Sequence, residues 1–125
     1  MNALYDFAAS LPRALYLTVA IVLYLLMLYM GTLEPAVDAL PGRENWSKVY
    51  HVVFYSGFAG LLWFGMMRAS VPSIATLIAF AGAIDEINQS FQPFREARVT
   101  DVLIDIAAGL TAAILLHALR RRAKS

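Results

Sequence analysis

Residues 14–33 run for about 20 positions without a charge, enough for one helix to cross a ~30 Å hydrocarbon core. Three further apolar stretches follow. Residues 49–67 are broken only by His51, residues 71–84 carry no charge, and residues 99–119 hold Asp101 and Asp105 in their first two turns and His117 in their last. The third stretch, at ~14 residues, covers only about 21 Å as a helix. To span, it must continue through Asp85, Glu86 and Gln89 to about Phe91, with Pro93 as the stop. Ser70 suits an N-cap and Pro72 a first turn. Helices are therefore expected at about 14–33, 49–67, 70–91 and 99–119. Short connections then favour an all-α fold, a four-transmembrane-helix antiparallel bundle in a single domain over 1–125.

Composition agrees with a membrane as solvent. The chain is 60% hydrophobic and 15% charged, against about 25% charged in soluble domains, and its mean hydropathy is +0.63. Once the apolar runs are set aside, no polar domain remains. A net charge of +1 gives no bulk attraction for nucleic acid or a polyanionic substrate. Without cysteine, structural disulfides, thiol catalysis and Cys-ligated metal are excluded. A cleaved signal peptide would have an apolar core of only about 7–15 residues and small residues at its cleavage site. The first run is longer, and Glu34-Pro35-Ala36-Val37-Asp38-Ala39 makes a poor site, so it is read as a retained helix.

With four spans, the N-terminus, the connection at Arg68 and the C-terminus share one side. That side has Arg13, Arg68, Arg120, Arg121, Arg122 and Lys124; the other has Arg43, Lys48, Arg95 and Arg98. The positive-inside rule then places both termini in the cytoplasm. Arg120 to Lys124 read chiefly as a topology anchor, Trp46 and Tyr50 as an interface belt, and His117 as an interfacial histidine. Of the acids, only Asp6 lies on the cytoplasmic side. The outward side is the chemically loaded one.

Residues three or four apart share a helix face. Lys48, His51 and Tyr55 form one stripe; Gly82, Glu86 and Gln89 a second; Asp101, Asp105, Ala108 and Ala112 a third. Facing lipid, a carboxylate costs about 2.5–3.5 kcal/mol, so these stripes are expected to face inward and one another. An average interhelical hydrogen bond in a membrane returns only about 0.6 kcal/mol. Structural glue alone is thus an inefficient reason for so many ionisable groups. Asp101 and Asp105 lie near a helix N-terminus that favours negative charge; Asp85 and Glu86 lie near a C-terminus that opposes it. Glu86 is expected to pair with Arg95 or else to be held neutral, with Arg98, Lys48 and His51 the next cations.

Three chemistries suit the set. One is a binding pocket lined by Lys48, His51, Tyr55, Asp85, Glu86, Gln89, Arg95, Arg98, Asp101 and Asp105. Another is acid–base catalysis, with Glu86 as acid or base and Asp105 orienting His51. The third is a metal held by Asp101, Asp105, Glu86 and His51, but there is no H-E-x-x-H and the arginines compete for the acids. No metal or cofactor is assigned. Catalytic residues stay open, with Glu86, His51 and Asp105 the candidates. Elsewhere, Ser56 and Gly60, Ala75 and Ala79, and Gly109 and Ala113 are spaced for close helix contacts. Residues 34–47 are a connector or a lid over the pocket, and Tyr16, Tyr24 and Tyr29 form no evident site.

The pattern Asp85-Glu86-x-x-Gln89-x-Phe91-x-Pro93-x-Arg95, followed after five residues by Asp101-Val102-Leu103-Ile104-Asp105, closely resembles the signature of the VanZ-like membrane proteins. Lys48-x-x-His51-x-x-x-Tyr55-x-x-Phe58 is similar to that family's second-helix pattern, and the likeness extends over roughly residues 45–115. It departs where Phe94 replaces a usual Gly, Asn88 a common His, and Ala108 a usual Gly, with Gly109 one position on. The family takes its name from a teicoplanin-resistance protein, and its members are small bacterial membrane proteins without an established biochemical activity. The resemblance implies a multi-pass protein of the bacterial cytoplasmic (inner) membrane. Its outward pocket is expected to recognise a cell-envelope component or lipoglycopeptide, with a link to glycopeptide resistance. The alternatives are a membrane enzyme acting on a lipid or envelope glycan, and a non-catalytic partner subunit. The bilayer is the expected partner and nucleic acid is not.

Overall fold

The computed structural model describes residues 2–32, 43–92 and 98–125, and every regular element among them is a helix. In chain order these are α1 (Asn2–Ser10), α2 (Arg13–Met30), α3 (Arg43–Gly65), α4 (Val71–Ser90) and α5 (Val99–Ala123). Three of them, α2, α4 and α5, are long and apolar enough to cross a bilayer. Helix α3 has 23 residues but is not among those three; Arg43, Glu44, Lys48 and His51 dilute its first half.

Two boundaries differ from the sequence reading. Helix α3 begins at Arg43, so the expected 34–47 connector loses its last five residues to helix, and residues 33–42 lie outside those described. Helix α1 was not expected. Leu11 and Pro12 separate it from α2, Pro12 standing at the α2 N-cap, where its missing N–H costs nothing. Aromatic contacts fix α1 in place. The Trp63 indole N–H donates to the Tyr5 hydroxyl at 3.3 Å, and the Tyr16 hydroxyl to Ala8 O at 2.7 Å. Tyr5 and Tyr16 both lie against Phe64, with ring centroids 5.4 and 5.3 Å away.

Helix α4 starts and stops where its end signals say. Ser70 accepts a hydrogen bond from the Ser73 N–H at 3.3 Å, and Ser73 Oγ accepts one from the Ser70 N–H at 3.0 Å, a reciprocal capping box that satisfies two orphan donors. The helix runs to Ser90 with Phe91 as C-cap, carrying Asp85, Glu86 and Gln89 inside it as the spanning length required.

Helix α5 packs against α3 and α4, α2 packs against α3, and α1 rests on α5. Long helices consecutive in the chain run antiparallel, whereas α3 and α5 run parallel, meeting near their starts at His51 and Asp105 and near their ends at Trp63 and His117. Leu17, early in α2, lies against Gly65 at the end of α3; Arg120, late in α5, reaches Ala69 just before α4. At the opposite end His51 meets Asp105 and Glu86 meets Arg98. The interior is built from Tyr55, Phe58, Trp63, Ile74, Ile78 and small residues of α5. Tyr24 stacks on Phe58 at 5.4 Å and holds α2 to α3. Outward, Ile21, Val22 and Leu25 of α2, Phe80, Ile84 and Ile87 of α4, and Leu103 and Leu115 of α5 are exposed. Helices apolar on their outer as well as their inner faces suit a lipid solvent.

The small-residue spacings are not equivalent. A Cβ on Gly109 would stand 2.7 Å from Ile78 Cγ1, so α4 and α5 approach closely there. A Cβ on Gly60 would meet nothing within 4 Å, and the contact expected at Gly60 is not made. Spacing marks a candidate stripe; only packing shows which stripe faces a neighbour.

Candidate functional site

Three buried stripes converge at the end of the molecule opposite Arg120. On α3, His51 and Tyr55 are one turn apart and both buried; on α4, Asp85, Glu86 and Gln89 are buried; on α5, Asp105 is 0% exposed. The i, i+3 and i, i+4 spacings put each set on one face, and α4 running antiparallel to the parallel pair α3 and α5 brings the faces to the same depth.

The closest polar contact is between His51 Nδ1 and Asp105 Oδ1, at 2.7 Å. An ionised carboxylate only accepts, so with Asp105 in that form the imidazole N–H at Nδ1 is the donor. The His51 ring lies nearly parallel to that of Tyr55, at 10° with centroids 6.1 Å apart. The other oxygen of Asp105 lies against the α4 backbone: a Cβ on Gly82 would be 2.9 Å from Oδ2. Glycine at 82 is therefore what lets this carboxylate sit between the helices.

Glu86 is used in a way its residue type does not announce. Its Oε2 accepts the backbone N–H of Arg98 at 2.7 Å. Arg98 is the N-cap of α5 and supplies no side-chain cap of its own. In a capping box the residue at N3 would reach back to this N–H; here N3 is Asp101, and a carboxylate from another helix does so. Negative charge at a helix N-terminus is favourable, so the contact joins α4 to the start of α5. Asp85 Oδ2 accepts from Gln89 Nε2 at 2.9 Å, one turn on.

Three buried side-chain atoms, Tyr55 Oη, Glu86 Oε1 and Asp105 Oδ2, have no hydrogen-bond partner among the described residues. Buried polar atoms are nearly always bonded, so a cluster of three invites a ligand. Two are carboxylate oxygens and the third is a phenol. The matching group is a hydrogen-bond donor, an amine or a hydroxyl.

Not every residue of the expected pocket joins this core. Lys48 and the Arg98 residue are exposed, and Asp101 is half-buried. Arg95, and with it the expected Arg95–Glu86 pair, lies outside the described residues. No group of three His, Asp or Glu residues among those described is arranged to hold a metal ion. Two residues that spacing did not single out tie α2 to the site. Tyr24 Oη donates to Ala81 O at 2.7 Å, and Asn88 Nδ2 to Leu28 O at 3.2 Å. Their acceptors are main-chain carbonyls, which leave no mark in a residue pattern.

Compared with known proteins, the chain matches no family model, no curated protein and no solved structure.

Proposed function

We propose that this chain is a VanZ-like protein of the bacterial cytoplasmic membrane, with four spans and both termini in the cytoplasm. Its acidic end faces outward and recognises a donor-bearing group on an envelope component or lipoglycopeptide such as teicoplanin. The observation that carries the reading is the set of unpartnered buried atoms, Tyr55 Oη, Glu86 Oε1 and Asp105 Oδ2, all able to accept from an amine or hydroxyl. The sequence pattern around Asp85 and Asp101 and the excess of cations at the Arg120 end support it.

The orientation has a direct test, because the chain has no cysteine of its own. Arg122→Cys should react with an impermeant thiol reagent only in inverted membrane vesicles, and Arg98→Cys only in right-side-out ones. Labelling of both from one side would remove the four-span arrangement.

Recognition is tested with Glu86→Gln, which keeps the size and removes the charge. A hydrogen bond to a charged group contributes about 1.5–3 kcal/mol, so purified Glu86→Gln should bind teicoplanin about tenfold more weakly or worse. Cells expressing it should lose any gain in teicoplanin tolerance conferred by the parent chain, at equal membrane abundance. Unchanged binding would exclude Glu86 from the site.

The short His51–Asp105 contact supports a second reading, a membrane enzyme acting on an envelope lipid or glycan. A carboxylate at Nδ1 fixes the tautomer and leaves Nε2 to take a proton, the arrangement of an oriented general base. Incubated with a lipid extract, the protein should then give product that accumulates with time and fails to form with His51→Gln. Stoichiometric retention without turnover supports the recognition reading instead.

A further inference from the structure

At the other end of the molecule a cavity of about 490 Å³ lies between the start of α4 and the end of α5. Its volume is within the range of small-ligand pockets. Arg68, Ser70, His117, Arg120, Arg121 and Lys124 line it, and no carboxylate does so among the described residues. We propose that this cavity is a binding site for a phosphate group, carried by an anionic lipid headgroup or free in solution.

The cations divide into two kinds. Arg120 is part of the framework: its guanidinium sits 4.5 Å from the Trp63 ring centroid and donates to Ala69 O at 2.9 Å. Its second terminal nitrogen is 3.3 Å from His117 Nδ1, and His117 lies edge-on to Trp63. This holds one positive charge in the wall and fixes the shape around it. Arg68, Arg121 and Lys124 are different. Arg68, Arg121 and Lys124 are exposed at the rim, and none of their side chains has a hydrogen-bond or ion-pair partner among the described residues. The start of α4, capped by Ser70, adds its positive dipole end to the same space. Among the described residues, three unpartnered cations, one anchored cation and a helix start surround a cavity that no acid lines, which suits a phosphate in charge. The site is remote from the acidic end and does not depend on the function proposed there.

Trp63 supplies the readout, because it lies beneath Arg120 and is buried. The chain has two tryptophans, so the full-length protein with Trp46→Phe leaves Trp63 as the only indole. This protein, in phosphatidylcholine vesicles, is titrated with phosphatidylglycerol in one series and inorganic phosphate in the other. The expected result is a saturable change in Trp63 emission. A basic residue near an anionic surface contributes about 1 kcal/mol, so Arg68→Gln, Arg121→Gln and Lys124→Gln should each raise the half-saturation point about five-fold. Arg122→Gln, a neighbouring cation that does not line the cavity, should leave it unchanged. A response to inorganic phosphate as well as to phosphatidylglycerol assigns the site to the phosphate group itself; a response to the lipid alone assigns it to a membrane-held headgroup. No saturable response in either series overturns the proposal. So does an Arg122→Gln effect as large as that of Arg121→Gln, which would reduce the site to diffuse surface attraction. Each variant is first required to match the parent in helix content and in Trp63 emission before ligand is added.

Discussion

Asp105→Ala should destabilise the protein by about 3 kcal/mol, near the lower end of the range for removing one partner of a buried pair. The substitution strips His51 Nδ1 of its acceptor at a site where His51 is 4% exposed, and water cannot easily replace it. Asp105→Asn should cost less, about 1 kcal/mol. The amide oxygen still accepts from Nδ1, but a neutral bond replaces one to a charge. His51→Ala combined with Asp105→Ala should cost clearly less than the two single changes added together, because the second removal leaves nothing further unpaired. Reversible unfolding in mixed detergent micelles measures all four proteins. Independent, additive losses would mean that the 2.7 Å contact contributes no coupling. The sign has a functional consequence. Where an apolar replacement of a buried polar pair restores much of the stability, stability is not what maintains the pair. On the function proposed above, the doubly substituted protein should then be folded and fail to bind teicoplanin.

Much of this cluster is legible in the sequence because lipid makes charge conspicuous. Asp85, Glu86, Asp101 and Asp105 stand out in or beside apolar runs, and helical spacing alone places His51 with Tyr55 and Glu86 with Gln89. What spacing does not specify is a partner that has no side chain. The acceptors for Tyr24 and Asn88 are the Ala81 and Leu28 carbonyls, and the donor to Glu86 is the Arg98 backbone N–H. Any residue offers those groups. Helix α1 is not legible for a related reason: nine residues carry too little periodicity to stand alone, and its position comes from Tyr5 meeting Trp63 and Phe64. Helix α3 starts earlier than its apolar run because Arg43 to Lys48 are good enough helix formers without being apolar. Charge patterns therefore locate the site, and backbone approach determines how it is wired.

Gly109→Ala tests that wiring most directly, and it should destabilise by about 2 kcal/mol, within the range for overpacking a filled core. A single methyl would lie 2.7 Å from Ile78 Cγ1, 2.9 Å from Cγ2 and 3.2 Å from Cβ. Ile78 is fully buried, and a β-branched side chain in a helix has one strongly preferred rotamer. It cannot swing away, so α4 and α5 must separate. The strain is transmitted along the stripe. Ile78, Gly82 and Glu86 succeed one another at i+4 on α4, while Gly109 and Asp105 are one turn apart on α5. Separation there loosens the seat of Asp105 against Gly82 and the Glu86–Arg98 contact beyond it, so ligand binding at the acidic end should weaken along with stability. Gly109→Ala should cost less in an Ile78→Ala background than in the parent, since Ile78→Ala, though destabilising by itself, removes the two γ carbons nearest the new methyl. Gly60→Ala is the control: its methyl would meet open space, and replacing a mid-helix glycine by alanine should stabilise by up to about 1 kcal/mol. Unfolding free energies and binding measured on these variants together separate a steric effect at the α4–α5 contact from a general effect of glycine. If Gly109→Ala behaved like Gly60→Ala, close approach of the two helices would not be what holds Asp105 in place.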